Sequence, residues 1–208
     1  MLRHVRAIAI LVLLAGAVGS CATQTQLTSQ WKDPSFTGAP GQKVAVVAVT
    51  GSERNTMIWE SSMSTALQSA GAVPVAGSTM FPNTWSGQRP DSATLVNTIN
   101  QTGVQLVMVS RLMAVNQVQT YVPGTVTYGY YGYYSGGMAV VGTPGYYETD
   151  TEVVLETNVF DVYTQKLVWS AASSTLDPSN ANDAASSISN AVVQNMVATG
   201  VLPAPKKK

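Results

Sequence analysis

The stretch KVAVVAVT, residues 43–50, decides the fold class. Its nearly continuous run of β-branched and small apolar residues is typical of a strand that is buried on both faces, as in a parallel sheet. An apolar stripe at helical spacing follows, which includes Trp59 and Met63, and Gly71 stands where a glycine would end that helix. The sequence therefore predicts a buried strand followed by a helical crossover.

The next segments repeat this pattern. Residues 72–76 predict a short second strand, and Asp91 can cap a second helix over residues 92–102, closed by Gly103. Residues 105–115 (QLVMVSRLMAV) predict a long third strand that continues towards Tyr121. The order βαβαβ favours parallel strands joined by helices.

The second half of the chain changes to antiparallel features. Residues 149–163 alternate between apolar and polar side chains, which predicts a strand with one wetter face. Thr164 and Gln165 form a predicted tight turn before a last strand at residues 166–173, and a final helix is predicted over residues 181–199. The expected fold class is α/β (α+β), with a mixed sheet of about five strands and three helices packed on it.

The first 20 residues have the layout of a secretory signal. A short basic segment with Arg3 and Arg6 precedes an unbroken apolar run, residues 7–18, and small residues follow. The run is shorter than the roughly 20 residues that a membrane-spanning helix needs. We therefore expect residues 1–20 to be removed as a signal peptide.

The sequence Val-Gly-Ser-Cys at residues 18–21 resembles a lipobox. A thiolate is the nucleophile that lipid attachment requires, and several acyl chains on one residue give stable anchoring. An ordinary secretory signal with Cys21 as a free thiol is the alternative. We expect Cys21 to be lipidated, and Ala22 after it points to the periplasmic side of the outer membrane, because aspartate at that position favours inner-membrane retention in Gram-negative lipoproteins.

Composition divides the mature chain into a tether, a domain and a tail. Residues 21–41 are polar and rich in proline and glycine, which predicts a flexible tether; Trp31 within them is expected to dock on the domain or to serve as an anchor. Residues 42–200 would form one α/β domain, with an insertion at 122–147. Residues 201–208 would be a tail ending in three lysines, most simply solvated.

Composition also argues against several functions. The mature chain has nine basic and eleven acidic residues and no basic stripe, so nucleic acid is a poor partner. The single histidine, His4, leaves with the signal, and Cys21 is used for lipidation, which removes histidine- and cysteine-based catalysis and zinc sites with those ligands. We expect no enzyme activity, no metal site and no cofactor besides the covalent lipid.

The most unusual segment, residues 121–147 (the Tyr/Gly arm), lies between the third and fourth predicted strands. Eight of the nine tyrosines of the chain fall within it: Tyr121, Tyr128, Tyr130, Tyr131, Tyr133, Tyr134, Tyr146 and Tyr147. Tyrosine offers wide amphipathic contact area and glycine lets the backbone bend, so protein, glycan and lipid-headgroup contacts all suit the arm. A tolerated low-complexity insertion is the alternative.

Three charged residues near the arm could share one face of the sheet. Arg111, Glu152 and Glu156 lie on strands that would be neighbours. A cross-strand salt bridge accounts for such an arrangement without any catalytic role. Carboxylate-based catalysis by Glu152 and Glu156 remains the alternative.

The chain also resembles known proteins. SQWKDPSF (residues 29–36), KVAVVAV, the Gly/Tyr-rich insert and ETNVFDVYTQKLVWSAASST (residues 156–175) are similar to a group of proteobacterial lipoproteins of unknown function. The order of elements resembles the α/β domain of the curli secretion lipoprotein and the amino-terminal domain of TolB. No functional residue follows from either resemblance; Asn158, Asp161, Lys166 and Trp169 have structural explanations, Asp161 in shaping the turn and Trp169 in packing under the final helix.

The sequence thus predicts a non-catalytic envelope lipoprotein. Its partners would be the membrane, through the lipid, and an envelope protein or glycan bound by the arm, with homo-oligomerisation as a variant. An enzyme or ligand-binding protein acting on cell-wall or glycan material is the alternative. A deep cleft lined by two carboxylates would favour the enzyme.

Overall fold

The stretch that decides the fold forms a central strand. The computed structural model describes residues 23–82, 91–124, 126–128 and 140–203, and within them Val44, Ala45, Val46 and Ala48 have no solvent-exposed surface. Burial on both faces explains why this run does not alternate, since each face of the strand has its own apolar neighbours. The continuous β-branched run is therefore a reliable signal here.

The described residues form eight strands and four helices. In chain order they are β1 (Thr25–Lys32), β2 (Lys43–Val49), α1 (Glu53–Ser69), β3 (Val73–Ala76), α2 (Gly77–Met80), α3 (Ser92–Thr102), β4 (Leu106–Val122), β5 (Val126–Tyr128), β6 (Val140–Gly142), β7 (Tyr146–Asp161), β8 (Leu167–Leu176) and α4 (Ala181–Ala198). Six of the strands form one sheet in the order β1-β8-β7-β4-β2-β3, and β5 pairs with β6. The predicted α/β class is confirmed.

The sheet is mixed because its two halves are connected differently. β2 runs parallel to β3 and to β4, as expected for strands joined by helices. In the order β4, β7, β8 and β1, each strand is antiparallel to the next. The predicted hairpin between the last two strands is present, and Asp161 shapes its turn by accepting hydrogen bonds from the backbone and hydroxyl of Thr164, both at 2.7 Å.

Helices cover the two faces of the sheet unequally. α1 and α4 pack on one face over the main core, which includes the fully buried Met63, Leu106 and Trp169. On the opposite face a smaller cluster, with Phe81 and Ile99, covers only the β3-β2-β4 side. Among the described residues, the part of the sheet formed by β3, β2 and β4 therefore has helices on both faces, which gives three layers. The part formed by β7, β8 and β1 has helices on one face, which gives two layers.

The expected tether is wrong for residues 25–32. These residues form β1, an edge strand that pairs with β8 from Thr25 opposite Thr175 to Lys32 opposite Trp169. The segment is polar because an edge strand with one partly uncovered face needs few apolar side chains; Leu27 packs against the main core, while Trp31 remains about half exposed. A sixth strand is therefore added to the five that the sequence predicts.

The predicted tail also begins too early. Val201 and Leu202 are fully buried in the main core. Gly200 adopts a φ of 77°, which turns the chain back so that the backbone N–H groups of Val201 and Leu202 both donate to Met196 O, at 2.8 and 3.0 Å. These two residues close the end of α4 instead of leaving the domain.

Candidate functional site: a tyrosine-bearing ribbon and the groove at its base

The two longest strands extend beyond the rest of the sheet. β4 and β7 pair from Leu106 opposite Asp161 to Val122 opposite Tyr146, but β8 accompanies β7 only as far as Glu152. Residues 117–122 and 146–151 are therefore a two-stranded ribbon of six residue pairs, which spans about 20 Å. β5 and β6 pair farther along the same arm.

A single unpaired residue decides which side chains share a face of this ribbon. Leu112 lies opposite Leu155 and Ala114 opposite Val154, so Met113 is the extra residue of a β-bulge. The bulge exchanges the two faces of β4, because side chains alternate along a strand. Tyr121 therefore lies on the α1/α4 face of the sheet, the face to which Leu112 belongs.

Tyr121 and Tyr147 form an exposed aromatic pair on that face. Their ring centroids are 5.2 Å apart with the ring planes at 54°, a tilted arrangement that aromatic pairs favour. The side chains are 55% and 71% exposed, respectively, and Tyr146 on the opposite face is also exposed. Gly145 lies directly against Tyr121, since a Cβ atom at this position would collide with the tyrosine Oη. The arm thus displays a supported tyrosine pair to solvent.

An apolar groove of about 300 Å³ lies at the base of the ribbon. It lies between α1, α4 and the strands β4 and β7. Its lining residues are Thr50, Asn55, Ile58, Trp59, Leu112, Val115, Thr151, Val153, Leu155, Pro178, Asn180, Ala181, Ala184, Ala185 and Ile188. No side chain in this lining is ionisable, although the buried Nε1 of Trp59 has no hydrogen-bond partner. The groove offers apolar contact and no acid or base.

The carboxylates considered for catalysis lie on the other face. Glu152 accepts hydrogen bonds from Ser174 Oγ at 2.6 Å and from Asn116 Nδ2 at 3.1 Å, and these bonds hold the pKa of the Glu152 carboxyl below its ordinary value. Glu156 is the register partner of Arg111 across β4 and β7, but the two described side chains form no ion pair, so the predicted salt bridge is absent between them. Glu152 and Glu156 share a face of β7, four residues or about 13 Å apart along the strand.

The first described residues are fixed to the domain beside the start of α4. Thr23 Oγ1 donates to Asp183 Oδ2 at 2.5 Å, and Ser187 Oγ donates to the carbonyl oxygen of Thr23 at 2.8 Å. The Thr23 hydroxyl, followed by the backbone N–H and hydroxyl of Ser179, holds the pKa of the Asp183 carboxyl below its ordinary value. Only residues 21 and 22 therefore separate the predicted lipid from the folded chain.

The structure describes the positions of some of the predicted site residues. Tyr121, Tyr146 and Tyr147 come together at the ribbon. Cys21 and four arm residues, Tyr130, Tyr131, Tyr133 and Tyr134, lie outside the described residues, as does the side chain of Tyr128. Sequence reasoning missed the groove, because its lining residues come from four separate elements. In addition, the bulge at Met113 decides which side chains of β4 face the groove.

The described residues contain neither a membrane-spanning helix nor a metal cluster. No helix among them is long and apolar enough to cross a bilayer. Within the same ranges, no group of three or more acidic, histidine or cysteine side chains is placed to hold a metal ion.

Comparison with known proteins gives structural likenesses only. No family model and no curated protein matches the chain. Similar solved structures include a PelC dodecamer from Paraburkholderia phytofirmans (13% identity, 88% of this chain and 100% of that chain, TM-score 0.45) and lipoprotein GNA1162 from Neisseria meningitidis (14%, 76% and 98%, 0.42). The LpoB C-terminal domain from Salmonella enterica is a third (13%, 68% and 85%, 0.38). At these identities and TM-scores the likenesses assign neither a family nor a role to this chain.

Proposed function

We propose that this chain is a membrane-anchored envelope lipoprotein with a non-catalytic binding role. Cys21 carries the lipid on the periplasmic side of the outer membrane, and the Tyr/Gly arm contacts another envelope component. One observation carries the proposal: β4 and β7 continue as a ribbon about 20 Å past the sheet and display the exposed pair Tyr121 and Tyr147.

Exposure of the ribbon's apolar side chains to water is unfavourable in free energy unless another surface covers them. Side chains such as Tyr121, Tyr147 and Val118 are exposed there, and exposed apolar surface of this kind typically marks an interaction site. Tyrosine loses little conformational entropy when it is immobilised and combines an apolar ring with a polar hydroxyl. These properties suit a contact surface better than a reaction centre.

The position of the carboxylates supports a non-catalytic role. The groove is lined without any ionisable side chain, whereas Glu152 and Glu156 lie on the opposite face of β7. Paired carboxylates of glycoside hydrolases stand roughly 5–9.5 Å apart across the scissile bond, closer than the 13 Å or so along the strand that separates Glu152 from Glu156. Glu152 and Glu156 are therefore not spaced as such a catalytic pair.

The proposal can be tested by crosslinking in living cells of the source organism. A photo-crosslinking amino acid replaces Tyr147 in one strain and Tyr163 in another; Tyr163 is 94% exposed and lies in the turn between β7 and β8, at the opposite end of the sheet. We expect a specific adduct from position 147 that is absent from position 163, and mass spectrometry would identify it.

Three products would each support binding through the arm: an envelope protein, a glycan or lipid, or a second copy of this chain. The last would indicate homo-oligomerisation. Identical adducts from both positions, or none from either, would contradict the arm as the contact surface. A crosslinker placed at Tyr121, on the same face of the ribbon, should give the same specific adduct as position 147, so that the result does not depend on a single position.

A further inference from the structure

The amino-terminal end of β1 and the ribbon lie at the same end of the domain. Thr25, at the start of β1, lies opposite Thr175 near the end of β8, and Leu176 lies opposite Glu152 on β7. The ribbon continues β7 and β4 beyond this row of residues. Thr23, the first described residue, precedes β1 at this row and is bonded to α4 there.

The connection to the lipid is short enough to keep this end of the domain close to the membrane. Thr23 is held at α4 by Asp183 and Ser187, so the Cα atom of Cys21 lies within about 7 Å of that of Thr23 even in a fully extended chain. The ribbon reaches about 20 Å beyond the end of the sheet at which β1 begins. A domain held this closely, with its strands pointing towards the bilayer, brings the ribbon to the lipid surface.

The chemistry of the arm fits that location. From Leu112 to Tyr147 the sequence contains no Asp, Glu, Lys or Arg, so this stretch can approach a bilayer without stripping water from a charged side chain. Tyrosine is enriched at the headgroup level of membranes because its ring is apolar and its hydroxyl is polar. The nearest acidic side chains on the ribbon, Glu148 and Asp150, lie on the face opposite Tyr121 and Tyr147 and can stay in water.

We infer that the component contacted by the tyrosine face of the ribbon is the lipid headgroup layer of the membrane that holds the anchor. The inference rests on the proposed function, because it requires the lipid on Cys21. The tyrosine face of the ribbon then acts as a second attachment beside the lipid and fixes the orientation of the domain on the bilayer.

The test uses the full lipidated protein in vesicles of phosphatidylethanolamine and phosphatidylglycerol. Lipidation consumes the thiol of Cys21, the chain's one cysteine, so a cysteine introduced by Tyr147→Cys can be labelled uniquely with an environment-sensitive fluorophore. Tyr163→Cys is the matched control, because it also replaces an exposed tyrosine. Thr149→Cys, an exposed position on the same face of the ribbon as Tyr147, gives a second site in case one variant folds poorly.

We expect the labels at positions 147 and 149 to shift their emission to shorter wavelength on reconstitution. They should also lose emission when lipids with a headgroup quencher are included, and lose less with a quencher deep in the acyl chains. The label at position 163 should show neither effect. Labels at positions 147 and 149 that stay unquenched, or quenching equal to that at 163, would overturn the inference and would leave a protein or glycan as the partner of the arm.

Failure of the inference can be told apart from failure of the proposed function. The mass of the mature amino-terminal peptide reports whether Cys21 is acylated in every sample. An unacylated Cys21 would remove the anchor on which the proposed function depends. An acylated protein with an unquenched ribbon would overturn the membrane contact alone, and the adducts formed in cells would still identify another partner.

Discussion

Individual side chains explain why this fold is stable and why some of its features are hidden in the sequence. Trp169 is fully buried, and its Nε1 donates to Asn195 Oδ1 at 3.1 Å, which ties β8 to α4. The expectation that Trp169 packs under the final helix is confirmed. Glu60 is also buried, where it accepts hydrogen bonds from the backbone and hydroxyl of Ser78; no sequence pattern distinguishes such a carboxylate from a solvated one.

The residue that ties the start of the chain to α4 should make stability depend on pH. The pKa of Asp183 is lowered in the folded protein by hydrogen bonds from Thr23 and Ser179, so its stabilising contribution is present above the unfolded-state pKa of about 3.9 and is lost as pH falls through the folded value. Asp183→Asn retains an acceptor but cannot titrate. We expect the free energy of unfolding to fall less steeply below about pH 5 in this variant than in the unmodified protein.

Urea unfolding at a series of pH values would measure this difference. Thr23→Val, which removes the largest cause of the lowered pKa, should make the pH dependence shallower in the same direction. Parallel curves for the unmodified protein and both variants would show that Asp183 does not link pH to stability.

At the scale of elements, the sequence predicts the strands and helices whose residue pattern follows directly from burial or from helix capping. The buried run of β2 and the amphipathic α1 follow from simple periodicity, and Asp91 caps α3 by accepting from Thr94 N at 2.9 Å, as predicted. β1 could not be predicted, because its polar sequence reflects its edge position. The bulge at Met113 could not be predicted either, since the extra residue shows only once a partner strand fixes the register.

Substitutions on the two faces of β1 would distinguish a strand from a tether. Leu27 packs on the main core whereas its neighbour Gln26 is exposed. We expect Leu27→Asp to lower the free energy of unfolding by about 1–3 kcal/mol, because it buries a carboxylate without a partner. Gln26→Asp should change it by no more than about 0.5 kcal/mol.

Urea denaturation monitored by tryptophan fluorescence would compare the two variants. Each variant introduces an aspartate into the same segment, so the difference between their free energies of unfolding reports only which face of β1 carries the substitution. Equal, near-zero effects would mean that residues 25–32 behave as a flexible linker.

At the scale of the whole molecule, the short attachment changes how the domain relates to its membrane. The sequence suggests a tether about twenty residues long, but Thr23 is already bound to α4 and β1 begins at Thr25. The domain is therefore expected to sit against the bilayer instead of sampling the space above it. The composition of the proposed contact surface could be predicted from the tyrosines of the arm. The direction in which the ribbon points could not be predicted, because it depends on which strands pair.

Removing the anchor tests the layout of the molecule. Cys21→Ser cannot be acylated, because a serine hydroxyl does not supply the thiolate that the reaction needs. We expect this variant to move from the membrane fraction to the soluble periplasmic fraction, or to keep its signal peptide. Cell fractionation and the mass of the amino terminus would measure both outcomes.

The matched control is Ser20→Ala, which leaves a small residue before the cysteine and should remain acylated. A Cys21→Ser variant that stays on the membrane with a normally processed amino terminus would contradict lipid anchoring at this residue.

The pairing of β1 with β8 also has a mechanical consequence. A pull on the lipid reaches β1 through Thr23, and the part of that force that acts along the strand meets hydrogen bonds perpendicular to it. The load is then shared by the ladder from Thr25 to Lys32, instead of breaking one bond after another as in unzipping. β1 therefore couples tension in the membrane anchor to the sheet in shear, the direction in which paired strands resist force best.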